Sequence, residues 1–382
     1  MQENSKIFFF CTAVFLWNVS AFSQTFRLQG QLSGWATVTL DQSSMTQGGL
    51  RYIPGLSIGK ANKKNYTVDA EFSANIYASG LSHSFNDVET EGRIKPYRMW
   101  LRFSIPQFEA RLGLQKINFG SATLLRPLMW FDRMDPRDPL QLTDGVYGFL
   151  VRYYFLNNTN VWLWGLYGNS KTKGWEMIPS DDRTMEYGGR IQWPLFTGEM
   201  AFTVHHRRMN LEKGILEHIP LGKGTAPENR FGVDGKWDVG VGVWFEGTLI
   251  QQDAEAIPFP YIRSVNIGAD YTFGLRNGLH FLAEHFFIQA ATKPFGSGEG
   301  YTFSAVSLNY PFGVLDNATA MLYYDWKSHD WYRFMSWQRM YDRWSIYTIV
   351  FWNPDRFQIY QNVTGTNIFA GKGFQCMIVI NH

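Results

Sequence analysis

The most regular feature of the chain is a period-two alternation of apolar and polar residues. In residues 66–78, YTVDAEFSANIYA, the apolar side chains fall on one face, and the other face carries Thr67, Asp69, Glu71, Ser73 and Asn75. Residues 96–105 and 108–120 alternate in the same way. Such a pattern predicts β-strands with one apolar and one polar face.

The alternation predicts an all-β protein with about eighteen strands, and sixteen is the alternative count because strand boundaries drift by a few residues. The predicted strands are residues 26–40, 50–59, 66–78, 96–105, 108–120, 146–155, 160–168, 186–193, 199–209, 230–238, 241–251, 264–273, 279–289, 304–310, 318–326, 344–352, 357–363 and 373–380. Short and long connections alternate between them. An even count places both chain ends on the same side.

Composition decides what kind of β-protein this is. Aromatic residues make up 17% of the chain, yet the mean hydropathy is −0.23. After the N-terminal segment, no stretch reaches the roughly 18 apolar residues of a membrane-spanning helix. Both facts are typical of a transmembrane antiparallel β-barrel, where lipid-facing and lumen-facing residues alternate, with short periplasmic turns and longer outer loops. A soluble β-sandwich or propeller is the competing fold.

The N-terminus predicts export. Lys6 precedes the apolar run IFFFCTAVFLW, and Ala21 and Ser23 offer a small-residue cleavage site before Gln24. We therefore expect a signal peptide over residues 1–23 and one barrel over residues 24–382. Cys376 is then the only cysteine left, which excludes an internal disulfide and a multi-cysteine metal site. The expected location is the bacterial outer membrane.

Tryptophans recur near predicted strand ends, as expected for the girdles at the two membrane interfaces. They are Trp162, Trp164, Trp193, Trp237, Trp244, Trp326, Trp344 and Trp352. A second aromatic group, residues 328–341, lies in a predicted outer loop. It is interpreted as packing between outer loops, with a sugar-stacking surface as the alternative.

The longest predicted connection inside the regular strand series is residues 120–146. A long insert without secondary structure in a compact domain is usually functional. Its charged residues are Arg126, Asp132, Arg133, Asp135, Arg137 and Asp138. We expect this loop to fold into the barrel and to act as the constriction of a pore.

Strand parity also predicts which charges line the lumen. The inward-facing set is Arg98, Arg102, Arg111, Gln115, Arg152 and Arg190, with the acids Glu71 and Glu109. Arginines stacked on one wall attract anions. Two interpretations stay open and are compatible: the arginines select anions, or they form ion pairs with the loop aspartates and hold the loop inside.

The segment RLGLQKINFGSATLLRPLMWFDRMDPRDP, residues 111–139, resembles outer-membrane porins of the alginate-export type and related families. In these a strand with an R-x-G-x-Q start enters a loop rich in Pro, Asp and aromatics. The signal ending in Ser-Gln is similar to members from the Bacteroidota. The resemblance implies a lumen-facing Arg111 and Gln115 beside an inward-folded loop. The chain departs from the pattern at its end, because Ile380-Asn381-His382 replaces the usual terminal aromatic.

Enzymatic motifs are not found. His205 and His206 are adjacent in a strand and face opposite sides, and no zinc-ligand spacing, G-x-S-x-G or phosphate-binding glycine loop occurs. Outward-facing His206 has no evident serine partner for a lipid hydrolase. The sequence predicts no catalytic residues, no cofactor and no metal site.

The expected function is a porin through which small, anionic or sugar-like solutes diffuse. The alternatives are a plugged barrel for assembly or attachment of a surface polysaccharide, and a membrane-embedded hydrolase. Expected partners are outer-membrane lipids, small solutes and the outer-membrane assembly machinery. A net charge of +2 gives no case for nucleic acid. A homotrimer is compatible with the class, although no sequence feature indicates it.

Overall fold

The computed structural model describes residues 24–40, 46–62, 65–84, 87–215, 219–354 and 369–382. The proposed signal peptide lies outside them. The strands are β1 (Gln24–Thr39), β2 (Thr46–Asn62), β3 (Tyr66–Ser84), β4 (Asp87–Ile105), β5 (Phe108–Gln115), β6 (Val146–Tyr154), β7 (Asn160–Leu166), β8 (Glu186–Leu195), β9 (Gly198–Asn210), β10 (Thr225–Asp238), β11 (Gly242–Gln252), β12 (Tyr261–Phe273), β13 (Leu279–Ala291), β14 (Gly298–Pro311), β15 (Asp316–Asp325), β16 (Asp330–Met340), β17 (Trp344–Trp352) and β18 (Lys372–Asn381).

These strands form a single closed sheet. Each strand pairs antiparallel with its neighbours in the chain, and β18 pairs with β1 from Gln31↔Asn381 to Thr39↔Gly373. Closure gives every strand two neighbours, which is how a β-structure satisfies its backbone groups inside a membrane. The predicted all-β barrel of eighteen strands is confirmed.

The two faces of the sheet differ as the alternation predicts. On β4, Met99, Leu101 and Phe103 are exposed on the outer face, whereas Arg98 is buried on the other. Apolar side chains such as Ile267 and Val350 are likewise exposed on distant strands. A continuous exposed apolar surface on a closed barrel is the surface that contacts lipid.

One predicted loop is wrong. Residues 330–340 of the aromatic segment form β16, which pairs with β15 through Tyr323↔Tyr332 and with β17 through Phe334↔Phe351. Neither loop packing nor a sugar-stacking outer loop therefore describes this segment. The predicted strand 357–363 lies outside the described residues, and β17 pairs directly with β18. The total of eighteen thus holds, with β16 at a position where the sequence predicted a loop.

The connections differ in length between the two ends of the barrel. At one end they are short, as at residues 106–107, 196–197 and 239–241. At the other end lie the long connections 116–145, 167–185 and 211–224. Short turns mark the periplasmic end of outer-membrane barrels and long loops the external end. No helix in the described part of the chain is long and apolar enough to cross a membrane.

Candidate pore constriction

The connection between β5 and β6, residues 116–145, enters the barrel; we call it the constriction loop. Phe119 stacks on Trp164 of β7, with ring centroids 5.7 Å apart. Phe131 meets His205 of β9 edge to face at 4.9 Å. Trp164 and His205 are buried on the inner face of the barrel. The first part of the loop therefore packs against the inner surface of β7–β9.

Two buried carboxylates farther around the wall, on β11 and β13, hold the crest of this loop. Glu246 on β11 accepts the backbone N–H groups of Ala122 and Leu128, at 2.7 and 3.1 Å. Glu284 on β13 accepts three consecutive backbone N–H groups, from residues 123, 124 and 125, at 2.7, 3.1 and 2.6 Å. Successive N–H groups that converge in this way form an anion-binding nest. Here the anion is the Glu284 carboxylate of the barrel wall.

Apolar packing surrounds these anchors. Leu124 and Leu125 are buried in a cluster whose wall members come from β11 and β13–β16. The wall members are Trp244, Leu282, Phe286, Phe303, Ala305, Tyr323 and Tyr332. Asn266 on β12 donates its amide to both the Leu125 carbonyl and Glu284. The loop therefore reaches from β5 across the barrel to β16.

The charges of the constriction loop are satisfied largely within the loop. Arg126 pairs with Asp132 at 3.0 Å and Arg137 with Asp135 at 2.9 Å. Asp138 accepts the backbone N–H groups of residues 140 and 142. Asp132 and Asp135 therefore pair with arginines of the loop itself, not with the wall arginines as expected. The loop is held to the wall by its backbone hydrogen bonds to Glu246 and Glu284.

A second external connection, residues 167–185, packs on the constriction loop. Trp175 donates its indole N–H to the Arg126 carbonyl at 2.8 Å, and Arg133 donates to the Gly174 carbonyl at 3.2 Å. Gly174 has φ 48°, and a Cβ there would lie 1.6 Å from the Met129 carbonyl oxygen. Only glycine allows this approach, so the two loops form one packed unit.

A buried ionic cluster fixes the second loop to the wall. Arg207 on β9 pairs with Glu228 on β10 at 2.5 Å and with Glu176 of the loop at 3.3 Å. Arg230 bridges the same two acids, at 2.7 Å to each. Lys173 pairs with Glu186 on β8 at 2.8 Å. Every charge in this group has an opposite partner, as burial requires.

The predicted arginine wall lies on β3–β6, and its arginines form ion pairs with acidic side chains of the same wall. Asp69 pairs with Arg102 at 2.6 Å. Glu109 contacts three guanidinium groups, those of Arg111 at 3.1 Å, Arg102 at 3.6 Å and Arg152 at 3.7 Å. Indole rings support the same row, since the Arg152 guanidinium lies 3.8 Å from the Trp162 centroid and that of Arg111 4.7 Å from Trp100.

The other predicted lining residues are placed differently. Arg98 is buried and donates to the Thr143 carbonyl at 3.0 Å, and Gln115 donates to the Gly148 carbonyl at 3.0 Å. Arg190 forms a bidentate pair with Asp234 of β10 at 2.6 and 2.8 Å. Glu71 lies opposite Trp100 and makes no ion pair with a described residue.

Accessibility separates two groups of arginines on the lumen wall. On β4–β6 the side chains of Arg102, Arg111 and Arg152 keep 33%, 16% and 17% of their surface exposed. On β8–β10 those of Arg190, Arg207 and Arg230 keep 4%, 1% and 3%. The two loops cover the second group, and the three arginines of the first group stay partly accessible.

Two titratable groups of the constriction loop are shifted by their surroundings. Burial lowers the pKa of Lys116 below the ordinary value of 10.5, although nearby Asp132 opposes this. Burial raises the pKa of the Asp138 carboxyl, against the two backbone N–H groups that it accepts.

Sequence reasoning missed the anchors and the second loop. Glu284 lies on the same inward face of β13 as Leu282 and Phe286. A single acid in an otherwise apolar row was the one sequence feature that could have indicated an anchor. Three of the predicted girdle tryptophans also face the lumen. Trp162, Trp164 and Trp244 belong to or pack against the buried inner clusters.

The outward histidines do not build a hydrolase site within the described contacts. His206 pairs with the Asn229 side chain at 2.8 Å. His285 pairs with the Ser304 hydroxyl at 2.9 Å, and Trp326 donates to that hydroxyl. Neither set joins a serine, a histidine and an acid or amide.

Comparison with solved structures identifies barrels of the same architecture. OccK7 (OpdD) of Pseudomonas aeruginosa is 8% identical, with a TM-score of 0.56 over 94% of this chain and 98% of that chain. OccK5 (OpdH) of the same organism is 11% identical, with a TM-score of 0.54 over 93% and 97%. OmpT, an outer membrane protein of Vibrio cholerae in its trimer form, is 12% identical, with a TM-score of 0.51 over 94% and 99%.

No family model matches the chain, and no curated protein matches it. At these identities the structural likeness shows the fold alone. Together with the closed sheet and its exposed apolar surface, that fold places the chain in the bacterial outer membrane.

Proposed function

We propose that the protein is a porin with an off-centre pore, bounded by the constriction loop and the β3–β6 wall, that favours small anionic solutes. One observation carries the proposal: Arg102, Arg111 and Arg152 on this wall stay partly accessible, whereas the arginines of β8–β10 are covered by the two loops. An eighteen-stranded barrel is wide enough to hold water beside such loops.

Anion preference follows from the chemistry of the wall. Guanidinium groups form bidentate hydrogen bonds to carboxylate and phosphate, and those of Arg111 and Arg152 lie over indole rings. Asp69 and Glu109 lower the net positive charge of the row. We therefore propose a moderate preference for anions over cations.

The first test is ion selectivity in planar bilayers. The purified protein should give discrete conducting steps and a reversal potential in a KCl gradient that reports anion preference. Arg102→Glu with Arg111→Glu should abolish that preference or turn it toward cations, because the change reverses two accessible lumen charges. Arg276→Glu, in the short turn between β12 and β13, makes the same kind of charge change away from the wall and should leave selectivity unaltered.

A second prediction for the same pore concerns Lys116, the first residue of the constriction loop. Because its pKa lies below 10.5, the lysine loses its charge earlier than an ordinary lysine as pH rises. Anion preference should therefore decline with rising pH below that value. Lys116→Arg should reduce this decline, since guanidinium does not titrate there. A decline of equal size in the Lys116→Arg variant would contradict this assignment.

A plugged barrel for surface polysaccharide is the second candidate, and the burial of both loops in the lumen favours it. It predicts silent bilayers at high protein concentration and loss of a surface polymer when the gene is deleted. Membership of the alginate-export type, origin in the Bacteroidota and assembly as a homotrimer remain predictions.

A further inference from the structure

The lipid-facing wall carries a row of cations and one indole near its external rim. Arg333 on β16 lies opposite Trp352 on β17, and Trp352 lies opposite Lys372 on β18. The Arg333 guanidinium is 5.0 Å from the Trp352 ring centroid, and the Lys372 ammonium is 4.9 Å from it. The indole is 54% exposed, on the same face as the apolar side chain of Val350.

The depth of this row follows from the aromatic residues of β17. Trp344 and Trp352 lie on the outer face at the two ends of the strand, eight residues apart. At roughly 3.4 Å per residue and a tilt of ~40°, they are separated by about 21 Å along the membrane normal. The apolar band of such barrels is about 25 Å tall. Trp352 therefore marks the external interface, with the two cations at its level.

Other outward-facing arginines near the external rim are engaged by the protein. Arg208 donates to the hydroxyl and carbonyl of Thr225, at 2.8 and 3.3 Å. Arg263 donates to the Gly296 carbonyl at 3.0 Å and to Gln289. The Arg333 guanidinium, in contrast, makes no hydrogen bond or ion pair with a described residue. Among the described residues, the guanidinium is contacted by the Trp352 ring.

The external interface is where the headgroups of outer-leaflet lipids lie. A phosphate there presents several anionic oxygens, which match a planar guanidinium and an ammonium placed on either side of one ring. An exposed indole at the same depth supports the sugar and upper acyl region of a lipid. We propose that Arg333, Trp352 and Lys372 form a binding site for the phosphate of an outer-leaflet glycolipid.

The test is lipid retention by the purified full-length protein in native mass spectrometry. The probes are lipid A with its phosphates, the same lipid without phosphates, and phosphatidylethanolamine. The wild type should retain phosphorylated lipid A severalfold better than the other two. Arg333→Gln with Lys372→Gln should remove most of that preference, and Arg333→Lys with Lys372→Arg should keep it.

The matched control is Arg339→Gln. Arg339 lies on the same strand, at the opposite rim, beside Asp316 at 3.8 Å, and its loss should leave retention unchanged. Heat-modifiable migration on gels confirms folding, and Lys372→Gln alone, at an exposed side chain, serves if the double variant does not fold. Equal retention by wild type and the folded variants would overturn the proposal. So would equal retention of dephosphorylated lipid A, or displacement of the lipid by millimolar inorganic phosphate, which indicates a site for free phosphate.

Discussion

Glu284→Ala should raise single-channel conductance severalfold and make the open current noisy. The substitution removes the only carboxylate that the structure shows at three adjacent backbone N–H groups of the constriction loop. A buried donor left without an acceptor costs about 1–3 kcal/mol. The loop crest should then leave the β12–β13 wall, and its leucines should become hydrated.

The matched control for this variant is Glu71→Ala, which deletes an acid on the same inner surface that makes no ion pair with a described residue. Its conductance should stay much closer to the wild-type value than that of Glu284→Ala. Glu284→Gln should fall between, because the amide keeps one acceptor oxygen. A folded Glu284→Ala barrel with unchanged conductance and noise would show that the loop is held without this carboxylate.

Arg207→Ala should cause the largest loss of stability among single substitutions at the loop contacts. It leaves Glu228 and Glu176 buried with one cation fewer and removes the hydrogen bonds to Ile178 and Ser180 of the second loop. Removing one partner of a buried ion pair costs roughly 3–5 kcal/mol. Urea unfolding in detergent micelles, followed by tryptophan fluorescence, measures the change.

Arg93→Ala is the comparison for that measurement. Arg93 pairs with Glu91 at 3.1 Å, but both side chains are more than half exposed. Exposed pairs contribute about 0–1 kcal/mol, so this variant should unfold near the wild-type midpoint. Equal free energies of unfolding for the two variants would mean that the buried cluster adds nothing beyond an exposed pair.

Much of the fold could be predicted from alternation alone. Parity placed Arg102, Arg111 and Arg152 on one wall because a strand has only two faces and one of them is apolar. It failed at residues 330–340, where aromatics and charges occupy both faces. Trp331 and Met335 are outward there, and Tyr332 and Phe334 face a lumen that the loops have made apolar. A wet lumen was the wrong assumption for that part of the wall.

The constriction loop shows which features of the site could not be predicted from the sequence. Its position was predictable, since a long connection with aspartates and aromatics between regular strands is unusual. Its anchors were not, because a backbone N–H carries no sequence signal and can bind any acid that the fold brings near. Glu246 and Glu284 lie more than a hundred residues away in the chain.

That separation has a consequence for how the barrel is built. Thr123 and Glu284 are 161 positions apart, so the crest of the loop has no acceptor until the strands of the C-terminal half have joined the sheet. Contacts between such distant residues form late, because the intervening chain must first be ordered. The loop therefore stays undocked, with its leucines uncovered, until the strands that carry Glu246 and Glu284 are in the sheet. The docked loop is therefore a feature that only the completed barrel can have.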